Sequence, residues 1–250
     1  MTLLENDMRK FLIAAAAITA VSAGSASAAD LAARPYTKAP VMVAPIYNWT
    51  GFYIGGQVGG AWGKDNWDLI SLTGEPVSHK KSSITGGGHI GYNWQVQQFV
   101  FGLEGEFNGT NLNASSISIN NPAVTYGTKI DWYGTVVGRL GLAFDRFLVY
   151  GTGGVAFTDV KTTGVNGVAD SFSNSGTRTG WAAGAGIAYQ AAPNWVVGVD
   201  YKHLDFGSFD RSGVTQTLVI PYTQTGIHSK IDQVTARLSY QFGGPIVAKY

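Results

Sequence analysis

The chain has 250 residues, a formal net charge of +1 and no Cys, with 34 Gly, 12% aromatic and only 13% charged residues. That is about half the ~25% charge of an ordinary soluble domain, and the scattered basic residues make no electrostatic footprint for nucleic acid. Without Cys there is no disulfide scaffold, no thiolate metal site and no Cys nucleophile.

In chain order, the first feature is Met8-Arg9-Lys10, then an apolar run from Phe11 to Val21 and a small-residue stretch ending Ala26-Ser27-Ala28. A positive start, a short apolar core and an A-x-A end describe a secretory signal peptide. The run is too short for a membrane-spanning helix, which needs roughly 20 apolar residues. Residues 1–29 are therefore expected to be a leader cleaved after Ala28 or Ala29, with Met8 a candidate for the true start. Residues 30–48, with Pro35, Pro40 and Pro45, read as an extended periplasmic arm.

From Trp49 to Phe242 eight stretches alternate with period two, the signature of strands. On one face lie Phe52, Ile54, Val58 and Trp62; then Ile84, Ile90, Tyr92 and Trp94; then Phe99, Phe101, Leu103 and Phe107. The fourth stretch places Ile130, Trp132, Val136 and Leu140 there, against Asp131, Tyr133, Thr135 and Arg139. The remaining four repeat the plan from Phe147, Trp181, Trp195 and Val234 onward.

The apolar faces so defined hold no charge, whereas the opposite faces hold Glu104, Glu106, Asp131, Arg139, Asp200, Lys202 and Arg237, with His89. A soluble barrel would turn its apolar face inward. Here the polar face is too rich in Gly, Ser, Thr and charge to be the outside of such a core, so the arrangement is that of a membrane barrel. The large aromatics segregate as well. Trp62, Phe107, Trp132, Phe157, Trp181 and Tyr201 lie near one end of their strands, and Trp94, Phe99, Phe147, Tyr189, Trp195, Tyr240 and Phe242 near the other. Antiparallel pairing gathers them into two interfacial girdles. Tight segments near Gln95–Gln98, Phe144–Arg146 and Ala191–Asn194 alternate with long ones at 63–82, 109–128, 159–178 and 207–229. The expectation is an all-β, eight-stranded antiparallel transmembrane barrel with short periplasmic turns and long extracellular loops. An even strand number lets it close without a free edge.

Several segments carry a family resemblance. Tyr36-Thr37-Lys38-Ala39-Pro40, Trp49-Thr50-Gly51-Phe52-Tyr53-Ile54-Gly55-Gly56, Tyr150-Gly151-Thr152-Gly153-Gly154-Val155-Ala156 and Leu238-Ser239-Tyr240-Gln241-Phe242 resemble the alphaproteobacterial outer-membrane immunogenic proteins. These are small porin-like barrels similar in architecture to the OmpA transmembrane domain. The resemblance implies a surface antigen and structural protein, and it carries over no catalytic residue. It also implies outer-membrane lipids, the barrel-assembly machinery and periplasmic chaperones as partners, and a monomer. Such barrels usually end on an aromatic residue, but here residues 243–250 form a tail after Phe242, so the assembly signal is expected at Tyr240 and Phe242.

Gly86-Gly87-Gly88-His89-Ile90-Gly91 matches G-x-G-x-x-G, but it lies inside a strand and not at a strand–helix junction, so it is no dinucleotide site. Glu104, Arg139, Asp200, Arg237 and His89 lie at similar depth, with Glu104–Arg139 and Asp200–Arg237 the expected pairings. They form either a plug of ion pairs or the lining of a water pore, and the plug is preferred because an eight-stranded barrel is only wide enough for its own side chains. His203 beside Asp205 is the nearest candidate for a lipid-modifying enzyme, yet no Ser lies in the strand read there, and no catalytic role is assigned. His79 and His228 fall in the long outer segments, where either could ligate haem or a metal. Some relatives in the broad family are associated with haem, but two isolated His residues assign no cofactor. The functional expectation is a structural surface protein; the alternatives are a narrow solute pore and loop-mediated ligand or host binding.

Overall fold

A computed structural model describes residues 47–69, 75–166, 170–216 and 221–242. The leader, most of the arm and the tail after Phe242 lie outside the described residues. The described chain is a closed ring of eight strands in which each pairs antiparallel with its sequence neighbours. The strands are β1 (Gly51–Leu69), β2 (Glu75–Val96), β3 (Phe99–Ile117), β4 (Val124–Phe144), β5 (Phe147–Asn166), β6 (Asp170–Ala192), β7 (Trp195–Val214) and β8 (Pro221–Gln241). Closure is made by β1 against β8, in register from Tyr53↔Gln241 upward.

Strands of 19 to 23 residues are about twice the ~9–11 that cross a bilayer. The long segments anticipated between strands are therefore paired β-structure for most of their length, and only 70–74, 118–123, 167–169 and 215–220 lie between strand ends. At the other end the turns are tight, as expected: Gln98, Arg146 and Asn194 accept backbone bonds at the three strand-to-strand corners.

Two corner residues, Gln97 (φ 56°) and Asp145 (φ 54°), sit in the left-handed region. Asp tolerates that conformation because its short side chain bonds locally; Gln has no such help. Gln97→Gly is expected to stabilise the refolded barrel by up to about 1 kcal/mol, read as a higher urea midpoint. A lowered midpoint would contradict this.

The period-two parity sends the large apolar side chains outward. Trp62, Ile84, Leu103, Phe107, Leu140, Trp181 and Val199 are about half-exposed or more on the outer wall. The aromatics of the expected girdles all point outward, and many touch: Phe107 stacks on Trp132 at 5.6 Å, Phe147 meets Tyr189 at 4.8 Å, and Trp195 meets Tyr240 edge-on at 5.3 Å. At the seam Phe242 packs on Tyr240 and Phe52, and its N–H donates to the Phe52 carbonyl.

Of the stretches read from the sequence, the fourth departs from the parity. Between Ile130↔Val160 and Tyr133↔Thr158, β4 sets two residues opposite one of β5, a β-bulge. The extra residue reverses the alternation. Ile130, expected outside, is fully buried in the interior, and Asp131, expected inside, lies on the outer surface between Lys129 and Lys161.

Candidate functional site

The functional question is what fills the barrel. From the tight-turn end inward, the first layer is apolar: Trp49, Val100, Leu148, Ala188 and Val196 pack together across the mouth. Trp49 is carried there by the segment before β1 and held by a bond from its backbone N–H to Gln95 Oε1 (2.7 Å).

Above it comes the charged layer. Glu104 accepts from Arg139, from Arg237 (2.6 Å) and from Lys202 (3.3 Å), and the Tyr53 hydroxyl donates to the same carboxylate (2.8 Å). Arg237 also pairs with Asp200, while Lys202 pairs with Glu106 and approaches Asp200 at 3.6 Å. The Arg139 guanidinium lies over the Tyr150 ring (4.2 Å) and near the Tyr53 ring (5.3 Å). Those tyrosines lean across the lumen because Gly186 and Gly91 stand beneath them; a Cβ at either position would run into the ring. The layer thus brings Glu104, Glu106, Arg139, Asp200, Lys202 and Arg237 together, all almost fully buried. Asp131 takes no part. His89 sits at the edge and bonds neutral groups instead, Gln57 and Ser239 Oγ (2.7 Å).

Three carboxylates of this layer, Glu104, Glu106 and Asp200, lie close enough to hold a cation. They are already opposed by three cations, Arg139, Lys202 and Arg237. A divalent ion would add two uncompensated charges to a dry interior, where each costs several kcal/mol, so the donor set does not suit a metal. Between this layer and Trp49 remains a cavity of about 20 Å³, room for about one water.

Further out, Gln233 links Tyr133 to Glu106, and Tyr133 meets Thr85 Oγ1 at 2.8 Å. Then follows a second apolar layer, which includes Ala61, Leu112, Ile130, Val160, Leu204 and Ile231. The polar face read from the sequence is therefore interrupted by apolar layers. Above lies a second buried ion pair, Asp65 with Lys81, joined by Ser229 to Asp65 (2.6 Å). Furthest out lies a cluster of Tyr126, Phe172 and Ile227.

The histidines expected in outer loops are on strands. His79 points inward, its ring nitrogens bonded to Thr128 (3.1 Å) and Ser116 (2.9 Å). Burial holds it below the ordinary His pKa, only partly countered by Asp65, with Lys81 lowering it further. His228 points outward to Asp205 (2.8 Å). The two side chains lie on opposite sides of the barrel wall and cannot share one haem. His203 pairs with Asp232 (2.7 Å) and not with Asp205. Because β7 runs on to Val214, it does contain Ser208, which stands opposite His228 in register. No hydrogen bond joins Ser208 to His228 among the described residues, so Asp205, His228 and Ser208 make no connected nucleophile.

Comparison with known proteins agrees with this architecture. The profile of the outer membrane protein beta-barrel domain matches residues 13–242. The chain is 33% identical over 242 residues to the 31 kDa outer-membrane immunogenic protein of Brucella melitensis, covering 91% of this chain and 98% of that one. It is 33% identical over 174 residues to the 22 kDa outer membrane protein of Rhizobium leguminosarum, covering 69% of this chain and 71% of that one. Among solved structures it is similar to OprG of Pseudomonas aeruginosa, with TM-score 0.49 and 13% identity over 80% of this chain and 100% of that one.

Proposed function

The chain belongs to the outer membrane protein β-barrel domain family, and from that we propose a structural surface protein whose lumen is filled, contributing to envelope integrity and presenting its outer strand extensions to the exterior. The observation that carries this reading is the stacking of layers across the interior. An ion crossing the barrel would have to pass two apolar layers and displace a charged layer whose six charges cancel. The interior of an eight-stranded barrel is just wide enough for its side chains to fill, and desolvating an ion in an apolar constriction costs several kcal/mol.

A narrow solute pore is the reading to set against it. Swelling of liposomes carrying the refolded barrel discriminates: sugars and amino acids are expected to enter no faster than into empty liposomes. Uptake at the rate of an open porin would favour the pore.

The charged layer contributes to the closure and to stability together. Arg139→Met leaves Glu104 with Arg237 and Lys202 and removes the cation between Tyr53 and Tyr150. Losing one partner of a buried network costs about 3 kcal/mol or more, so the variant is expected to melt at lower temperature in a heat-modifiability gel or to open a conductance. A variant unchanged in both would count against a plug held by ion pairs.

No catalytic function is proposed. The relatives named above are outer-membrane proteins, His203 is paired with Asp232, and among the described residues no hydrogen bond joins Ser208 to the Asp205–His228 pair.

A further inference from the structure

We propose that the outer wall where β2, β1 and β8 meet binds the phosphorylated headgroup of an outer-leaflet glycolipid through Lys64, Lys80 and Lys230. Lys64 is directly opposite Lys80 on β2 and directly opposite Lys230 on β8. Their parity is that of Trp62, two residues back along β1, so all three ammonium stems leave the outer wall. Like charges directly opposite each other destabilise a sheet; a row of three calls for a counter-charge.

The barrel supplies one only at the β8 end of the row, to Lys230. Asp65, the neighbour of Lys64, points inward and is taken by Lys81. Asp232 is held by Tyr201 and His203. Lys230 reaches Asp205 at 3.1 Å, and Asp205 is shared with His228. Among the described residues Lys64 and Lys80 have no carboxylate within ion-pair distance. A second lysine pair on the same wall shows what internal compensation looks like. Lys129 and Lys161 also face each other across β4 and β5, and Asp131 bridges them at 2.8 and 3.6 Å. That carboxylate reaches the surface only because of the bulge. Lys64 and Lys80 have no equivalent, so their counter-charge comes from outside the chain.

The height of the row selects the occupant. Trp62 is half-exposed on the outer girdle, and an interfacial Trp marks the headgroup level. Lys64 stands about 7 Å beyond it along the strand, and a depression between Trp62, Gly63, Lys64, Lys80, Ser82 and Asp232 opens there. An apolar Trp below and ammonium groups above fit an acyl chain and its anionic headgroup.

The full barrel, refolded in a zwitterionic detergent and titrated with diphosphoryl lipid A under native mass spectrometry, tests the assignment. Wild type is expected to retain the lipid, and K64Q/K80Q to bind about 25-fold more weakly, at about fivefold per lysine near an anionic surface. K129Q/K161Q, whose charges are met internally, is expected to change binding by less than about twofold. Equal binding by K64Q/K80Q and wild type would overturn the proposal. So would an equal loss in K129Q/K161Q, which would show a diffuse charge effect, or full competition by inorganic phosphate, which would show a free-anion site.

Discussion

Glu104→Gln is expected to destabilise the barrel by about 3–5 kcal/mol, the range for removing one partner of a buried ionic network. The reason is the number of groups that depend on this carboxylate. Arg139, Arg237 and Lys202 all pair with it, and the Tyr53 hydroxyl donates to it. Without it, three cations face only Glu106 and Asp200 in this layer, and Arg139 loses its one carboxylate partner among the described residues. The amide keeps the shape, so the loss reports charge and not packing. Glu106→Gln is the control: that carboxylate meets Lys202, Gln233 and Asn108, and Lys202 retains Glu104 and Asp200. A smaller effect is expected there. Urea unfolding of both variants in detergent or lipid vesicles, followed by Trp fluorescence, measures the difference. Equal midpoints for Glu104→Gln and wild type would remove Glu104 from the centre of the network.

The second large effect is expected at the outer ion pair. Lys81→Met leaves Asp65 buried with only Ser229 to bond it, at a cost of about 3–5 kcal/mol. Replacing both partners, Asp65→Leu with Lys81→Met, is expected to be near neutral or stabilising, because two apolar side chains then extend the adjacent layer of Ala61, Leu112 and Ile231. The contrast between the single and double variants is the informative quantity. If both lose stability alike, the pair does more than fill the lumen, and a positional role for its charges follows.

How much of this could be read from the sequence depended on where the period-two parity persists. Eight strands, their order and the outward aromatics are legible because large apolar side chains alternate with small or polar ones over the membrane-crossing stretch. Beyond Trp62 and Ile84 the apolar contrast fades into Lys, Asp, Ser and His, so the strand extensions look like loops. The parity nevertheless continues: Gly63 and Asp65 follow inward from Trp62, and Lys81 and His79 inward from Ile84. Carried two more residues, it would have placed Asp65 and Lys81 in one lumen. Ile130 and Asp131 could not be placed this way, since a bulge carries no fixed residue signature and reverses the faces on either side of it.

The interior was partly legible. Charges at similar depth in Glu104, Arg139, Asp200 and Arg237 suggested one layer, but partner choice depends on register across strands far apart in sequence. That register brings Lys202 to Glu106 and leaves His89 with Gln57 and Ser239. The apolar layers are not legible in the sequence because Val100, Leu148, Leu204 and Ile231 sit singly on otherwise polar faces and gather only when the barrel closes.

Single-channel recording of the refolded wild-type barrel in a planar bilayer tests most directly whether these layers close the lumen. A silent trace is predicted, with no discrete steps at any applied voltage that the bilayer tolerates. Reproducible discrete openings by the wild-type protein would contradict it.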